Sequence, residues 1–562
     1  MIIGLDVGGT HTDVVLIGKN GPIREIKVTT DSTNLFATVL SGLEKITAGI
    51  APEEIRRAVL STTLTTNAII QKKSHPVGMI VSAGPGIDPS HFKICRHYYT
   101  VSGAIDHRGR EIKPINKAEI KAAAKKLQDD GIEYVAVVSK FSVRNPEHEL
   151  AIAKILEPSF KHIFLGHHFS GNLNFPRRIN TAYLNASAYP LHKSFWEAVK
   201  NSLEEKGLNV PIRILKPDGG NMRFESAIHY PAQSILSGPA ASIMGAIGFA
   251  PKDQESLVLD IGGTTTDMAI LKDGVPLLDP LGIEIDNFRT LIRSLQTHSI
   301  GVGGDSVVRR KKDGVTIGPD REGMAMAYGG FVPTPTDALF VLGMGEDGKR
   351  EKSVEGIAPL AKEWGISVEA AADKIFTATC KQILNGAHKM IEAVNSKPVY
   401  TVHELYEGIR INPTCILILG GPAPYFKDKL AALSGLEVRV VPRWKVANAI
   451  GAALARTTCE VTLFADTEQG IVTAPGENFS KTVPDNFTKA DAVKTALKLL
   501  KTKAIQRGAN PDHLQTEVIE EQEFNMVRGF HTSGKNIRIK VQVKPGLIHG
   551  YDPVTEVITG NL

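Results

Sequence analysis

The octapeptide DVGGTHTD at residues 6–13 returns as DIGGTTTD at residues 260–267, with six of the eight positions identical. An apolar run precedes each copy, at 2–5 and 257–259, and another follows, at 14–17 and 268–271. Asn20-Gly21 and Asp273-Gly274 then supply hairpin turns. Each copy therefore reads as strand, glycine turn, strand, tight turn, strand. An ordinary turn has reason to use Gly and Asp. It has none to keep Thr and Asp at the same offsets twice. Two hairpins with one shared polar tip imply two similar half-molecules, whose tips can grip one ligand from both sides of a cleft.

The tips carry the residue types that a nucleotide phosphate chain needs. Phosphate crowds any backbone it approaches, so glycine is required where N–H groups come close. Gly8, Gly9, Gly262 and Gly263 are expected to supply such groups, and Thr10, Thr12, Thr264 and Thr265 to add hydroxyl donors. Asp6 and Asp260 stand at the strand ends, where a carboxylate repels phosphate unless a metal lies between. Mg²⁺ suits that place, because it keeps most of its waters and takes one or two carboxylates. One aspartate is expected to hold a metal-bound water and the other to orient a nucleophile. Asp13 and Asp267 close the motifs and are expected to support the metal shell or the turn.

Three further segments join the candidate site. In ILGGPAPYF (418–426), a strand ending in Gly420-Gly421 before a helix suits close approach to an adenosine. HSIGVGGDS (298–306) reads as a substrate or phosphate loop, with Gly303 and Gly304 flanked by His298 and Asp305. SILSGPAAS (234–242) sets Gly238 at the start of an alanine-rich helix, whose first N–H groups can meet an anion. No GxxxxGK[ST] loop occurs. The literal GxGxxG at Gly343, Gly345 and Gly348 runs into Lys349-Arg350-Glu351-Lys352 instead of an apolar helix, and reads as coincidence. His167-His168 lacks a partner at metal-ligand spacing.

Periodicity places helices at 32–46, 195–206 and 445–456, with another after Pro146. It places strands at 134–138, 416–419 and 438–441, and a long loop at 313–336. The alanine- and glycine-rich helix at 445–456 suits a hinge-side position. Beyond about 460 a helix at 489–500 and an alternating strand at 537–543 suggest a small α+β domain. The expected domains are 1–190 and 191–460, one hairpin in each, followed by 461–562.

The 65 basic and 60 acidic residues leave a net charge of +5, which gives no case for nucleic acid. The four cysteines form no CxxC pair, so reduced thiols in the cytoplasm are expected. No leader or membrane-length apolar stretch is legible.

The same segments, with STTLTTNAII (61–70), FSVRNPEHE (141–149) and DGGNMRFESAIHYPAQSILSGPAAS (218–242), resemble the hydantoinase A/5-oxoprolinase family. That family includes ATP-dependent N-methylhydantoinases and the related acetone and acetophenone carboxylases. The resemblance covers residues 1 to about 460 and implies an α/β actin-like ATPase (ribonuclease H-like) fold, two similar halves around an ATP cleft. It implies ATP and Mg²⁺ as cofactors and phosphorylation of a substrate carbonyl oxygen. A B-type subunit then completes ring opening of a cyclic amide, such as a hydantoin or 5-oxoproline. By this resemblance Asp6 and Asp260 are catalytic, and Asn67, Gly238, His298, Gly303, Gly304 and Asp305 face the substrate. It implies an oligomer with no nucleic acid and no membrane. The other roles within reach are a ketone carboxylase subunit and an ATP-driven activator or chaperone-like switch. The chain departs from the family at Leu60-Ser61, Asp305 and Met326–Gly329, which predicts an altered substrate pocket.

Overall fold

The computed structural model describes residues 1–550, except positions 10, 32, 63, 71–73, 85, 206, 208, 252, 280, 312–313, 346 and 397–409 and the side chains at 67 and 70. The first repeat builds strands β1 (Ile2–Val7), β2 (His11–Gly18) and β3 (Gly21–Thr29), joined by β4 (Arg57–Thr62), β5 (Ile212–Leu215) and β6 (Asn221–Arg223). They lie in the order β6-β5-β4-β1-β2-β3. The second repeat builds β7 (Glu255–Ile261), β8 (Thr266–Lys272) and β9 (Val275–Pro276), joined by β10 (Thr297–Ile300), β11 (Cys415–Leu419) and β12 (Glu437–Val440). Their order is β9-β8-β7-β11-β12, with β10 paired to β8. In each sheet a meander of three antiparallel strands continues into two parallel strands on the side of its first member. Two sheets of one order, each opening on the repeated motif, make this an actin-like ATPase fold.

The apolar runs around the motifs are continuous because the central strands are covered on both faces. Ile3, Leu5 and Val7 of β1 pack with Leu16, Leu60 and Trp196 in one core. Ile2, on the opposite face, packs with Ala449, Ile450 and Ala453 of the helix Ala447–Leu454. That helix comes so close at Gly4 that a Cβ there would stand 2.0 Å from Ala449 O. It also crosses the helix Ser237–Ile247, where a Cβ on Gly451 would stand 2.1 Å from Ala241 O. The small residues in both helices thus let the two halves meet backbone to backbone. In the second half, Leu257, Leu259, Met268, Ile270, Ile416 and Ile418 pack under the helix Val368–Asn395 through Ile375, Phe376 and Ile383.

The structure corrects three expectations. The helix expected from Phe195 begins at Phe175 and runs to Glu205, with Pro190 inside it. Its apolar residues form no single stripe, because different stretches pack in different cores. The strands β5 and β6 complete the first sheet, so residues up to 223 belong with the first half and not, from 191, with the second. The expected loop 313–336 contains a strand, Gly314–Ile317, paired with Val308–Lys311. Its later part is held by the buried Asp337, which accepts hydrogen bonds from the backbone N–H groups of Met326 and Ala327 and from Ser353.

A parallel sheet, with Tyr134–Ser139 between Gly78–Ser82 and His162–Leu165, is inserted in the first half. At the end of the described chain, β13 (Glu460–Asp466), β14 (Ile471–Ala474), β15 (Phe479–Thr482), β16 (Thr516–Arg528) and β17 (His531–Val543) form a sheet ordered β15-β14-β13-β17-β16. The helix Lys489–Gln506 covers it with Ala492, Ala496, Leu500 and Ala504. Cys380, Cys415 and Cys459 are buried in apolar cores. Among the described residues no helix is long and apolar enough to cross a membrane.

Candidate functional site

The two motifs fold into hairpins of the same register and turn. Asp6 pairs with Asp13 across β1 and β2, and Asp260 pairs with Asp267 across β7 and β8. The turn closes in the same way in both: Gly8 N–H donates to His11 O at 3.0 Å, and Gly262 N–H donates to Thr265 O at 2.9 Å. This corrects the reading of the glycine pairs. The N–H groups of Gly8 and Gly262 are consumed by the turns, so Gly9 and Gly263 are the positions left at the tips. A Cβ on Gly8 would stand 2.8 Å from His11 O, so the turn itself demands glycine there. A Cβ on Gly9 would meet nothing.

Four carboxylates, Asp6, Asp13, Asp260 and Asp267, influence one another's charge across the two hairpins. Burial pushes the Asp6 carboxyl up to about 7, and the charges of Asp13 and Asp260 add to the rise. Burial likewise raises Asp267 to about 7, with Asp260 contributing. Asp260 is raised by burial and partly relieved by Ser242, whose hydroxyl donates to Oδ2 at 2.5 Å. Asn448 donates to Asp6 Oδ2 at 2.7 Å and lies 3.3 Å from Asp13 Oδ2. Lys27 pairs with Asp13 at 2.7 Å, and Ser299 donates to Asp267. Among the described residues no group completes a hydrogen bond to the buried Asp6 Oδ1, although the Ser61 hydroxyl lies near enough to lower the Asp6 carboxyl against the effect of burial.

This arrangement fits a divalent cation held at a distance. An orphaned carboxylate oxygen among mutually repelling carboxylates is what such an ion would satisfy. Among the described residues no three His, Cys, Asp or Glu side chains converge closely enough to bind one ion directly. An ion that keeps its water and takes one or two carboxylates, as Mg²⁺ does, is the species that suits Asp6 and Asp260.

The glycine loop 301–306 buttresses the second tip. Gly304 and Asp305 donate their N–H groups to Gly262 O and Gly263 O, at 2.9 and 2.6 Å. A Cβ on Gly303 would lie 2.6 Å from Gly262 O, and one on Gly304 would lie 2.8 Å from Thr336 Oγ1. Asp305 Oδ2 stands 2.8 Å from where a Gly263 Cβ would be, and it pairs with Arg321 at 3.0 Å. Burial raises Asp305, and the Arg321 charge works against that rise. Burial lowers His11 at the first tip; Lys27 lowers it further, and the charges of Arg321 and Asp305 act on it from the other half. The two tips therefore face each other.

The other expected residues are placed less simply. Thr12 is buried and its hydroxyl meets Thr30 Oγ1 at 2.9 Å, so it braces the first hairpin. Its counterpart Thr266 donates to Val302 O at 2.7 Å and ties the glycine loop down. Thr264 is exposed at the second tip and Thr265 is half-buried beside it. Thr10 and the side chain of Asn67 lie outside the described residues. His298 pairs with Met268, whose side chain is in the core, so the register brings Ser299 to Asp267 in place of His298. Gly238 is the second residue of the helix Ser237–Ile247, the helix that also carries Ser242 to Asp260. Gly420, at φ +96°, packs against the second hairpin: a Cβ would lie 2.3 Å from Ile261 O and 2.7 Å from Asp260 Oδ1. Gly421 beside it is open. Gly345 and Gly348 of the chance GxGxxG lie against the ring of Phe340, which gives them a packing role.

Asn448, Ser242, Ser299, Lys27 and Arg321 were not singled out from sequence. Asn448 had a signal, as the one polar side chain in VANAIGAA. Ser242 had one at the end of SILSGPAAS. Lys27 and Arg321 carried none, because an exposed strand and an apparent loop give a lone cation no context.

Residues 178–461 match hydantoinase/oxoprolinase, and residues 2–160 match the hydantoinase/oxoprolinase N-terminal region. The chain is 25% identical over 487 residues to caprolactamase subunit alpha of Pseudomonas jessenii, covering 78% of this chain and 68% of that protein. It is 24% identical over 517 residues to the acetone carboxylase beta subunit of Xanthobacter autotrophicus, covering 81% and 69%. The crystal structure of ATP-dependent caprolactamase from Pseudomonas jessenii superimposes with a TM-score of 0.71 at 20% identity, over 98% of this chain and 88% of that one.

Proposed function

The chain belongs to the hydantoinase/oxoprolinase family, and from that premise we propose that it binds ATP and Mg²⁺ in its cleft and phosphorylates the carbonyl oxygen of a cyclic amide. The observation that carries this reading is the duplicated Asp pair, Asp6/Asp13 and Asp260/Asp267, set on matching hairpins that face each other. One hairpin alone is a turn. Two of them with four carboxylates that influence one another's charge form a site for a metal-bridged phosphate chain.

The chemistry needs such a site. Resonance feeds nitrogen electrons into an amide carbonyl and makes it a poor electrophile. Transfer of the γ-phosphoryl group to that oxygen breaks the bond to ADP and leaves a C=N bond whose carbon, now bearing phosphate instead of a carbonyl oxygen, is a strong electrophile. Water can then add at carbon. The ring C–N bond breaks, the nitrogen leaves as the amine, and a second water splits the resulting acyl phosphate into carboxylate and inorganic phosphate. Bound Mg²⁺ would neutralise charge on the transferring phosphoryl group. Asp260, oriented by Ser242, and Asp6, oriented by Asn448, would hold its waters and align the attacking oxygen. Gly9 and Gly263 would face the phosphates, and the open Gly421 would face the adenosine. The relatives named as subunits support a partner chain that completes ring opening.

The test is Mg²⁺-dependent phosphate release from ATP, measured with hydantoins, 5-oxoproline, lactams and dihydropyrimidines, with Asp260→Asn as control. One cyclic amide is expected to raise the rate, and the variant to abolish it. ATP cleavage stimulated only by a ketone with bicarbonate would replace this reading with a carboxylase subunit. Cleavage stimulated only by a protein partner would replace it with a switch.

A further inference from the structure

A second polar cavity, of about 80 Å³, lies where the two halves meet the C-terminal sheet. The chain that follows β5 (Lys216–Asp218), the turn Leu291–Arg293, the start of β13 and the segment His167–Gly171 all line it. None of the hairpin residues contributes to it.

Its centre of interest is Arg293. All three guanidinium nitrogens are buried, and among the described residues none has a hydrogen-bond partner. The carboxylates of Asp218 and Glu460 stand 3.7 and 3.9 Å away, beyond hydrogen-bond reach. Both are already engaged at shorter range, Asp218 by Lys216 and Thr458 and Glu460 by Lys540. Lys503, another lining cation, is held by Glu477. Arg507 stacks over Tyr230 with its guanidinium 5.7 Å from the ring centre. Burial lowers His168 to about 4 and keeps it neutral. The lining therefore carries four cations, Lys216, Arg293, Lys503 and Arg507, against three carboxylates. Among the described residues three more buried polar atoms of the lining, His167 Nε2, Gln233 Oε1 and Glu460 Oε2, also lack hydrogen-bond partners, and His167 is fixed in place by its Nδ1 contact to Glu149 at 2.6 Å.

We propose that this cavity binds a small polar organic acid, its carboxylate on Arg293 and its polar substituent toward His167 and Gln233. A buried guanidinium without hydrogen bonds is costly, and a planar carboxylate matches its fork in a bidentate pair. The excess of a single positive charge suits a monoanion; a phosphate dianion would face three carboxylates with too little compensation. The site goes beyond the ATP chemistry and shares no residue with it.

The probe is glycolate, compared with the uncharged glycolamide and with inorganic phosphate by calorimetry on the full chain. Glycolate is expected to saturate one site per chain and glycolamide to bind at least about tenfold more weakly. Arg293→Gln is expected to weaken glycolate at least about tenfold while leaving ATP binding unchanged. A crystal of the unmodified protein with glycolate is expected to show its carboxylate within hydrogen-bond distance of Arg293, which decides the matter even if the variant does not fold. No saturable glycolate binding, tighter binding of phosphate, equal binding of glycolamide, or glycolate seated elsewhere would each overturn the proposal. Mg²⁺-dependent ATP cleavage on the same preparation reports separately on the cleft.

Discussion

Asn448 Nδ2 lies 2.7 Å from Asp6 Oδ2, although 442 residues separate the two along the chain. Asn448 sits in the helix Ala447–Leu454, which packs on β1 and crosses the helix Ser237–Ile247. The helix joining the two halves therefore also sets the charge of a proposed metal-holding aspartate. A hydrogen bond to a charged group contributes about 1.5–3 kcal/mol. Asn448→Ala is expected to raise the apparent pKa of Asp6 by up to about 1 unit, or about 1.4 kcal/mol, because Asn448 weighs less on it than burial, Ser61, Asp13 and Asp260. In a pH profile of ATP cleavage, the acid limb should move to higher pH in the variant. An unmoved limb with a lowered plateau would show that Asn448 acts on packing alone.

The carboxylate cluster predicts an unusual pH dependence of stability for metal-free protein. Asp6 and Asp267 titrate near 7 when folded, well above their ordinary value of 3.8. The folded state therefore binds these protons more tightly, and stability falls as pH rises through 7. Two buried histidines act in the opposite sense. His192 and His168 are lowered by burial to about 3 and about 4, so their cost fades as pH rises to 6.5 and is gone above it. Glu149 and Asp218, held low despite burial by His167 and by Lys216, stabilise throughout this range and lose that contribution only in acid. Between about pH 6.5 and 8 the two cleft aspartates act against the single Met1 amino group, which burial lowers from its ordinary 8.0 and which works in the opposite sense. Tm in a chelating buffer should fall across that window, and Mg²⁺ should restore it most at pH 8. Asp6→Asn should flatten the slope. A Tm that rises from 6.5 to 8 in chelator would remove the cluster from the account.

The hairpins, the second one's parallel neighbours β11 and β12 and the helix Ala447–Leu454 were legible because each depends on a local pattern; β4 and β5 beside the first hairpin were not. Apolar runs with glycine turns fix the strands, and a small-residue helix announces close packing. The full extent of the helix Phe175–Glu205 was not legible, because its buried residues feed several cores, and the helix Val368–Asn395 was not expected. In the site, residue types at the tips were legible but their division of labour was not. Whether Gly8 or Gly9 keeps a free N–H depends on the turn bond to His11 O. Whether His298 or Ser299 reaches Asp267 depends on a strand register that a sequence does not state. Arg321 reaches Asp305 only because Asp337 folds the segment expected to be loop.

Gly420 and Gly421 separate a structural demand from a ligand demand. Gly420 has φ +96°, and a Cβ would lie 2.3 Å from Ile261 O. Gly420→Ala is expected to destabilise the protein by about 1–3 kcal/mol even without nucleotide. A Cβ on Gly421 would meet no atom within 4 Å, so Gly421→Ala should leave Tm unchanged. Its KM for ATP should rise, because the methyl group would occupy the space assigned to adenosine. An unchanged KM would move the adenosine away from this turn.

Gly451 tests whether contact between the halves or helix propensity decides. On an isolated helix Gly→Ala stabilises by about 1 kcal/mol. Here the added Cβ would stand 2.1 Å from Ala241 O and 2.3 Å from Gly245 N, both backbone atoms of the crossing helix. Neither can turn aside as a flexible side chain would, so the helices must separate. That separation also draws Asn448 from Asp6 and Ser242 from Asp260, because those residues ride on the same two helices. Gly451→Ala is therefore expected to lose about 1–3 kcal/mol net and to lower ATP cleavage more than its Tm change alone explains. Calorimetry and phosphate release on one preparation measure both. A variant with raised Tm would mean that propensity wins and that the halves tolerate a looser contact than these distances describe.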